Sequence, residues 1–486
     1  MVSEDTKLHQ RNKWTFSVGT VGRDMVYTFM TAYLIYFLTN VSRLSNWVLG
    51  ILSALILLTR LVDVVLDIVM GSIVDNTRSR WGQYKPWIFG GVLASAMFTI
   101  LLFTDLGLKD VSFIISFALF YLGWSLSWTA NDVPYWSLMP ALSLNQKRRE
   151  EIGSLANIFA SIGQFSVAVA VIPLTQWLGG IIGDKAAWLT FVVGIVVIML
   201  IGQSVTLLGT KVPNIVVEQQ RVKLRDIITV VFHNDQLLWV SIAMLLFMTG
   251  YNTTISFGTY FFQYAYGDIN MYTVFAGVVG VATLTGFAVF PIVSRHYNRR
   301  TLYTFSTCLV VVGYLVFFFS PMNLIILAVA GLALFFGMSF VTVLMLVSIT
   351  DTIDYGHWKL GHRNTAITFA LRPFINKAGA ALATEIVAIT LIVSGINDAA
   401  NKNSDYVAPQ GLQLMKLAMM VLPMLLIVIG FVLYRTKYRI DEAFHARIIA
   451  DLRDRGQLVD EPEGDVLPEK DAPLEMDVPP EVSEQA

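Results

Sequence analysis

Residues 60–87 read RLVDVVLDIVMGSIVDNTRSRWGQYKPW. The stretch starts inside an apolar segment and ends in a basic turn. Asp63 and Asp67 stand four residues apart, so on a helix they share one face, one turn from each other. Carboxylates inside a lipid-spanning helix are costly and persist where they line a polar cavity or bind a cation. From Gly71 the chain leaves the apolar run, and Asp75, Arg78 and Arg80 carry charge out of it. One element thus joins a candidate ion site to a membrane-edge turn.

The flanking sequence is of the same kind. The chain has 486 residues, 55% apolar and only 14% charged, against roughly 25% charged in soluble domains. Together with many long apolar runs this predicts an all-α, polytopic membrane protein. Its single cysteine, Cys308, excludes a disulfide framework and a multi-cysteine metal site. A polar stretch of 13 residues precedes an apolar segment too long for a signal-peptide core, so no cleaved signal is expected.

A span needs about 20 mostly apolar residues. Twelve segments qualify, at 14–40, 46–74, 86–106, 111–139, 152–179, 186–209, 236–263, 271–294, 301–319, 323–350, 366–394 and 411–434. Lys and Arg crowd alternate loops, from Lys7, Arg11 and Lys13 through Arg78, Arg80 and Lys85 to Arg435, Lys437 and Arg439. The other side carries only Arg43, Lys109, Lys185 and Lys402. The asymmetry puts both termini in the cytoplasm of a cell-membrane protein. The basic loop at 210–235 divides the spans six and six, giving an N-terminal stretch 1–13, bundles at 14–209 and 236–438, and a tail at 439–486. The tail opens with a short helical stretch, then turns acidic and Pro-rich, which predicts disorder. The turn after span 2 has a counterpart after span 8, Pro291–Arg300, which includes Arg295. That repeat points to a two-bundle transporter with substrate near the midplane.

The remaining ionisable residues lie inside spans. They are Arg23 and Asp24 in span 1, Arg60, Asp63 and Asp67 in span 2, Asp132 in span 4, and Arg372, Lys377 and Glu385 in span 11. At about 1.5 Å per residue, Asp24 and Lys377 reach similar depths, roughly 15 Å in. Four acids of the first half and one lysine of the second therefore converge, as acids do around a cation or an exchangeable proton. Arg60 and Arg372 have plainer readings as inner-leaflet anchors or as partners of neighbouring acids, and Glu385 as an interfacial residue. Span 4 adds Asp132 and Trp136, one turn apart across Pro134. A carboxylate beside a Trp face suits a sugar, whose hydroxyls need an acceptor and whose C–H face needs an apolar plate. Trp124 and Trp128 read as packing.

These residues resemble the glycoside–pentoside–hexuronide:cation symporter family, the melibiose-permease-like branch of the major facilitator fold. The resemblance rests on GTVGRDMVY in span 1, the quoted stretch in span 2, NDVPYWSLMPAL in span 4, DTIDYGHWKLGHR at 351–363 and INKAGAA in span 11. It covers about 12–440 and implies two six-helix bundles and alternating access, with sodium or a proton bound together with sugar. It implies a cation site at Asp63 and Asp67 with Lys377 close by. Asp24 and Asp132 would hold sugar hydroxyls, helped by Trp136, with Arg23 as the flanking basic residue. The inner gate would comprise Asp75, Arg78, Arg80, Arg295 and, in a turn at 351–363, Asp351, Asp354 and Arg363. Two positions depart from the pattern. Leu66 replaces an Asn frequent in sodium-using relatives, which tilts the reading towards protons, although the Thr129 hydroxyl can compensate. Asn157 stands where the melibiose-type pattern has a basic residue in span 5, which questions an α-galactoside assignment. RDMVY and the span 11–12 region resemble glycoside and oligosaccharide carriers of Gram-positive bacteria. Some of those carry a fused phosphotransferase-type domain, and the stretch after 438 is too short to hold one.

The expected function is cation-coupled symport of a glycoside or oligosaccharide, by a monomer that contacts lipid, binds no nucleic acid and needs no cofactor or metal beyond a co-transported proton or sodium ion. A lysolipid carrier of the same fold is the alternative. A membrane enzyme is disfavoured. His9, His233, His296, His357, His362 and His445 all fall in tails, loops or edges, and no nucleophile–base pair stands out.

Overall fold

The computed structural model of the chain describes residues 4–143, 146–212, 232–361, 365–402 and 404–455. Its elements are helices: α1 Glu4–Thr28, α2 Asn46–Asn76, α3 Lys85–Phe103, α4 Asp110–Ala141, α5 Gln146–Ile182, α6 Asp184–Gly209, α7 Asp235–Tyr260, α8 Asn270–Val293, α9 Arg299–Phe319, α10 Leu324–Leu360 and α11 Thr365–Val393. α12 runs from Pro409–Lys416 through a π-helical turn into Leu422–Lys437, and α13 is Glu442–Asp454. Eleven of the described helices are long and apolar enough to cross a membrane. α1, the remaining long helix of the first bundle, falls short of that measure because charged and polar residues dilute its apolar run.

α2 shows why the pattern folds this way. Leu58, Leu61, Val62, Val65 and Val69 are exposed and form its lipid-facing stripe. Asp63, on the opposite side, is buried. An amphipathic helix whose polar face is the minority turns that face inward when the solvent is lipid. Side-chain caps set several starts: Asn234, Asn298 and Asn323 accept from the first-turn N–H groups of α7, α9 and α10.

α1 to α6 pack among themselves, as do α7 to α12. The two bundles meet along α2 with α11 and along α5 with α8. Positions 2 and 8 are equivalent in the halves, and so are 5 and 11, so one contact occurs twice. That is the mark of an internal repeat. α1 is wedged against α6 at Gly22, where a Cβ would fall 2.4 Å from the Met199 backbone. It meets α5 at Gly163, where a Cβ would fall 2.3 Å from the Val21 carbonyl oxygen. This close approach seats Arg23 and Asp24 in the bundle interior.

The end away from the termini is sealed. α1 continues through π-helical turns Phe29–Tyr33 and Phe37–Val41, and α7 through Phe261–Tyr266. Across the seal Tyr33 and Tyr272 hydroxyls pair at 2.8 Å, Tyr36 donates to Gln263 at 2.8 Å, and Thr39 pairs with Tyr260 at 2.9 Å. Tyr264 donates to Asn40 at 2.6 Å. The short helix Ile396–Asn401 adds Asn397 and Asn401, both donating to the Leu44 carbonyl.

Two expectations change. The N-terminal stretch is helical from Glu4, a continuation of α1 in which Asn12 donates to the Lys211 carbonyl at 2.9 Å. The expected turn at 351–363 is the end of α10, which runs unbroken to Leu360 and stops at Gly361 with φ +78°. Its polar residues imitate a turn, but no residue before Gly361 forces the backbone out of helix. The short helical stretch at the head of the tail is α13, which docks on α10. Residues 213–231 of the central loop and 456–486 of the tail lie outside the described residues.

Candidate functional site

Two parallel helices form the centre of the site. Ser125 donates to Asp63, and Thr129 donates to Asp67 at 3.0 Å. The acids on α2 and the hydroxyls on α4 are each four residues apart, so the two pairs form consecutive rungs of a ladder. Asp63 also faces Arg60 at 3.7 Å. Asp67 receives Lys377 Nζ of α11 on both oxygens, at 2.5 and 2.8 Å. Lys377 is 4% exposed, and its ion pair with Asp67 joins one bundle to the other.

The second group sits beside the first. Arg23 pairs with Asp132 at 2.9 Å and faces Asp24 at 3.8 Å. Its guanidinium lies over the rings of Tyr135, Trp136 and Trp128, at 4.9, 5.0 and 5.8 Å from their centroids. Arg60 lies over Trp124 at 5.0 Å, so Trp124 and Trp128 back the two buried arginines rather than serving as packing alone. Gln164 of α5 donates to Asp24 Oδ1 at 3.5 Å. Among the described residues, Asp24 Oδ2 and Arg23 Nε are buried without a hydrogen-bond partner. A stranded acceptor next to a stranded donor is expensive. One hydroxyl, which donates and accepts at once, satisfies both.

Asp24, Arg23, Asp132 and Trp136 therefore come together, as do Asp63, Asp67, Thr129 and Lys377. Asn157 does not join them: it is exposed and makes no described bond to the group. Gln164, on the same face of α5 two turns further on, reaches Asp24 instead. Ser125 and Gln164 are absent from the sequence reading. The signal for Ser125 is its spacing to Thr129, which repeats that of Asp63 to Asp67.

The residues expected to gate are dispersed. Arg78, Arg80 and Arg295 are exposed at the termini end. The side chains of Asp75 and Arg363 lie outside the described residues. Asp351 takes Arg299, and Asp354 takes His445 of α13 at 3.1 Å. His445 also faces Asp351 at 3.8 Å. Trp358 donates to Asp451 at 3.0 Å, and the Arg299 backbone N–H donates to Glu442 at 2.7 Å. This ionic clip fastens α13 to the second bundle. The hydrogen bond to Asp354 holds the His445 pKa above its ordinary value, helped by the charge of Asp351 and opposed by partial burial and Arg299.

A family model described as MFS/sugar transport protein matches residues 15–442. The chain belongs to this family. Members of the MFS/sugar transport family are transporters, so this chain is a multi-pass membrane transporter and not an enzyme. Its relatives include a lactose permease of Leuconostoc lactis, 28% identical over 90% of this chain and 71% of that one. A raffinose carrier protein of Pediococcus pentosaceus is 28% identical over 90% and 70% of the two chains. Among solved structures, a bacterial homologue of the human lysosomal transporter Spinster, titled as inward-facing and unoccupied, superposes with a TM-score of 0.62 at 12% identity, covering 90% of this chain and 98% of that one. This neighbour shares the major facilitator fold with the chain.

Proposed function

We propose that the protein is a cation-coupled symporter that carries a glycoside or oligosaccharide into the cell by alternating access, with both termini in the cytoplasm. The sugars in the relatives' names, lactose and raffinose, are the first to test. The observation that carries the proposal is the buried Lys377–Asp67 pair between the bundles.

Charge balance gives the coupling a physical basis. Asp132 is close enough to act on Asp67 and Lys377, so the two groups form one electrostatic zone. Fully ionised, it holds four carboxylates (Asp24, Asp63, Asp67, Asp132) against three cations (Arg23, Arg60, Lys377). One negative charge is left over. Closing the cavity around an uncompensated charge is costly, and a neutral sugar does not change the sum. One proton or one monovalent cation does. The oxygens of Asp63, Asp67, Ser125 and Thr129 offer it a ligand set, with the Lys377 ammonium already on Asp67. Cation and sugar together then stabilise the closed cavity more than either does alone, and that difference is the coupling.

The test is uptake into vesicles under an imposed sodium or pH gradient, with Asp63→Asn and Asp67→Asn beside the wild type. Both variants lose uphill accumulation of the sugar. Undiminished gradient-driven accumulation in either one sinks the assignment.

A further inference from the structure

A second cavity opens one helical turn beyond the charged group. Thr28 follows Asp24 by four residues on α1, and Gln164, which donates to Asp24 at 3.5 Å, lies at the cavity mouth. From there the lining becomes mostly apolar, with Phe165, Ile255, Phe275, Phe335, Met420 and the ring of Tyr251, whose hydroxyl is one of the few polar groups there, around about 100 Å³. Two of its polar groups are already engaged with each other, since Tyr314 and Thr254 pair at 2.6 Å, and Tyr272 is turned to Tyr33. The chemistry thus changes within one turn from carboxylates and guanidinium, supplied by the first bundle, to aromatic and aliphatic surface, supplied mainly by the second.

We propose that the transported glycoside is amphipathic, with its glycosyl head at Arg23, Asp24 and Asp132 and an apolar aglycone in this cavity. The proposal rests on the sugar-symport reading and names the substrate class within it. A fault in packing does not account for the space, because native interiors fill such gaps and this one is bounded by both bundles, which part and rejoin during transport. Water gains few hydrogen bonds there, so an apolar group displaces it favourably. The space takes an aryl ring or a short alkyl chain.

The experiment is inhibition of labelled-glycoside uptake into vesicles by n-alkyl glycosides of increasing length, in the wild type and in Ala276→Phe and Ile255→Ser, which fill and polarise the cavity. In the wild type inhibition tightens about fourfold per added methylene over the first few carbons and then levels off. Both variants lower the ratio of butyl to methyl inhibition, a ratio taken within each variant and so independent of its overall activity. A flat series with intact sugar uptake overturns the aglycone site and leaves sugar symport standing. Tightening that continues to lipid length, or ratios unchanged in both variants, also overturns it. Absence of any glycoside uptake removes the symport reading and this inference with it.

Discussion

Replacing Lys377 by methionine keeps the volume of the side chain and removes its charge. In the structure the ammonium makes contacts of 2.5 and 2.8 Å with the two Asp67 oxygens. Removing it leaves Asp67, whose side chain is 18% exposed, with Thr129 as its described donor. Breaking one side of a buried pair costs about 3–5 kcal/mol, because the other charge is stranded. Asp67→Asn strands Lys377 in the same way at a similar cost. The double variant strands neither, so its loss falls short of the sum of the single losses by at least the cost of one stranded charge, about 3–5 kcal/mol. The assay is a double-mutant cycle on denaturant unfolding in detergent micelles, followed by tryptophan fluorescence. The pair is then measured free of other effects of each substitution. Losses that add to within about 0.5 kcal/mol refute the bond between the bundles.

Three further outcomes are expected. Ser125→Ala removes the hydroxyl donated to Asp63 and raises the cation concentration for half-maximal uptake by about tenfold; an unchanged value excludes Ser125 from the ligand set. Tyr272→Phe deletes the 2.8 Å bond to Tyr33, weakening the seal by about 1 kcal/mol, so a Thr28→Cys reporter in the cavity beneath it is alkylated about fivefold faster from the far side. His445 titrates above its ordinary value because it is bonded to Asp354. Its contribution to docking α13 is therefore complete below about pH 6.5 and disappears as pH rises through the raised value. Limited proteolysis of α13 accelerates between about pH 6 and pH 8, and His445→Gln removes that dependence.

Much of the site was legible because helical periodicity is strict. Asp63 and Asp67 are four residues apart, and a span with two inward carboxylates has one way to turn. What escaped depended on a second helix. Ser125 looked like any small polar residue of a membrane helix until α4 was set beside α2. Gln164 went unnoticed because the resemblance directed attention to Asn157, two turns away on the same face, and sequence spacing does not fix the depth at which α5 crosses α1. The end of α10 failed for a different reason. Asp351 to Leu360 is polar, and polarity marks the membrane edge but not the end of a helix. A break in backbone conformation ends the helix, and it comes at Gly361. The docking of α13 follows from that error, because its partner surface exists only when α10 is extended.

The wide turns Phe37–Val41 and Phe261–Tyr266 have a mechanical consequence. Each accommodates one residue more than ordinary α winding, and such turns recur at functional sites. Tightening one of them to regular pitch swings the helix beyond it by about 100°. Thr39 and Asn40 on one side, or Gln263 and Tyr264 on the other, are then carried off their partners without the helix being broken. The seal thus contains its own screw thread, and a single-residue deletion within 37–41 should leave the protein wound in the unlatched pitch.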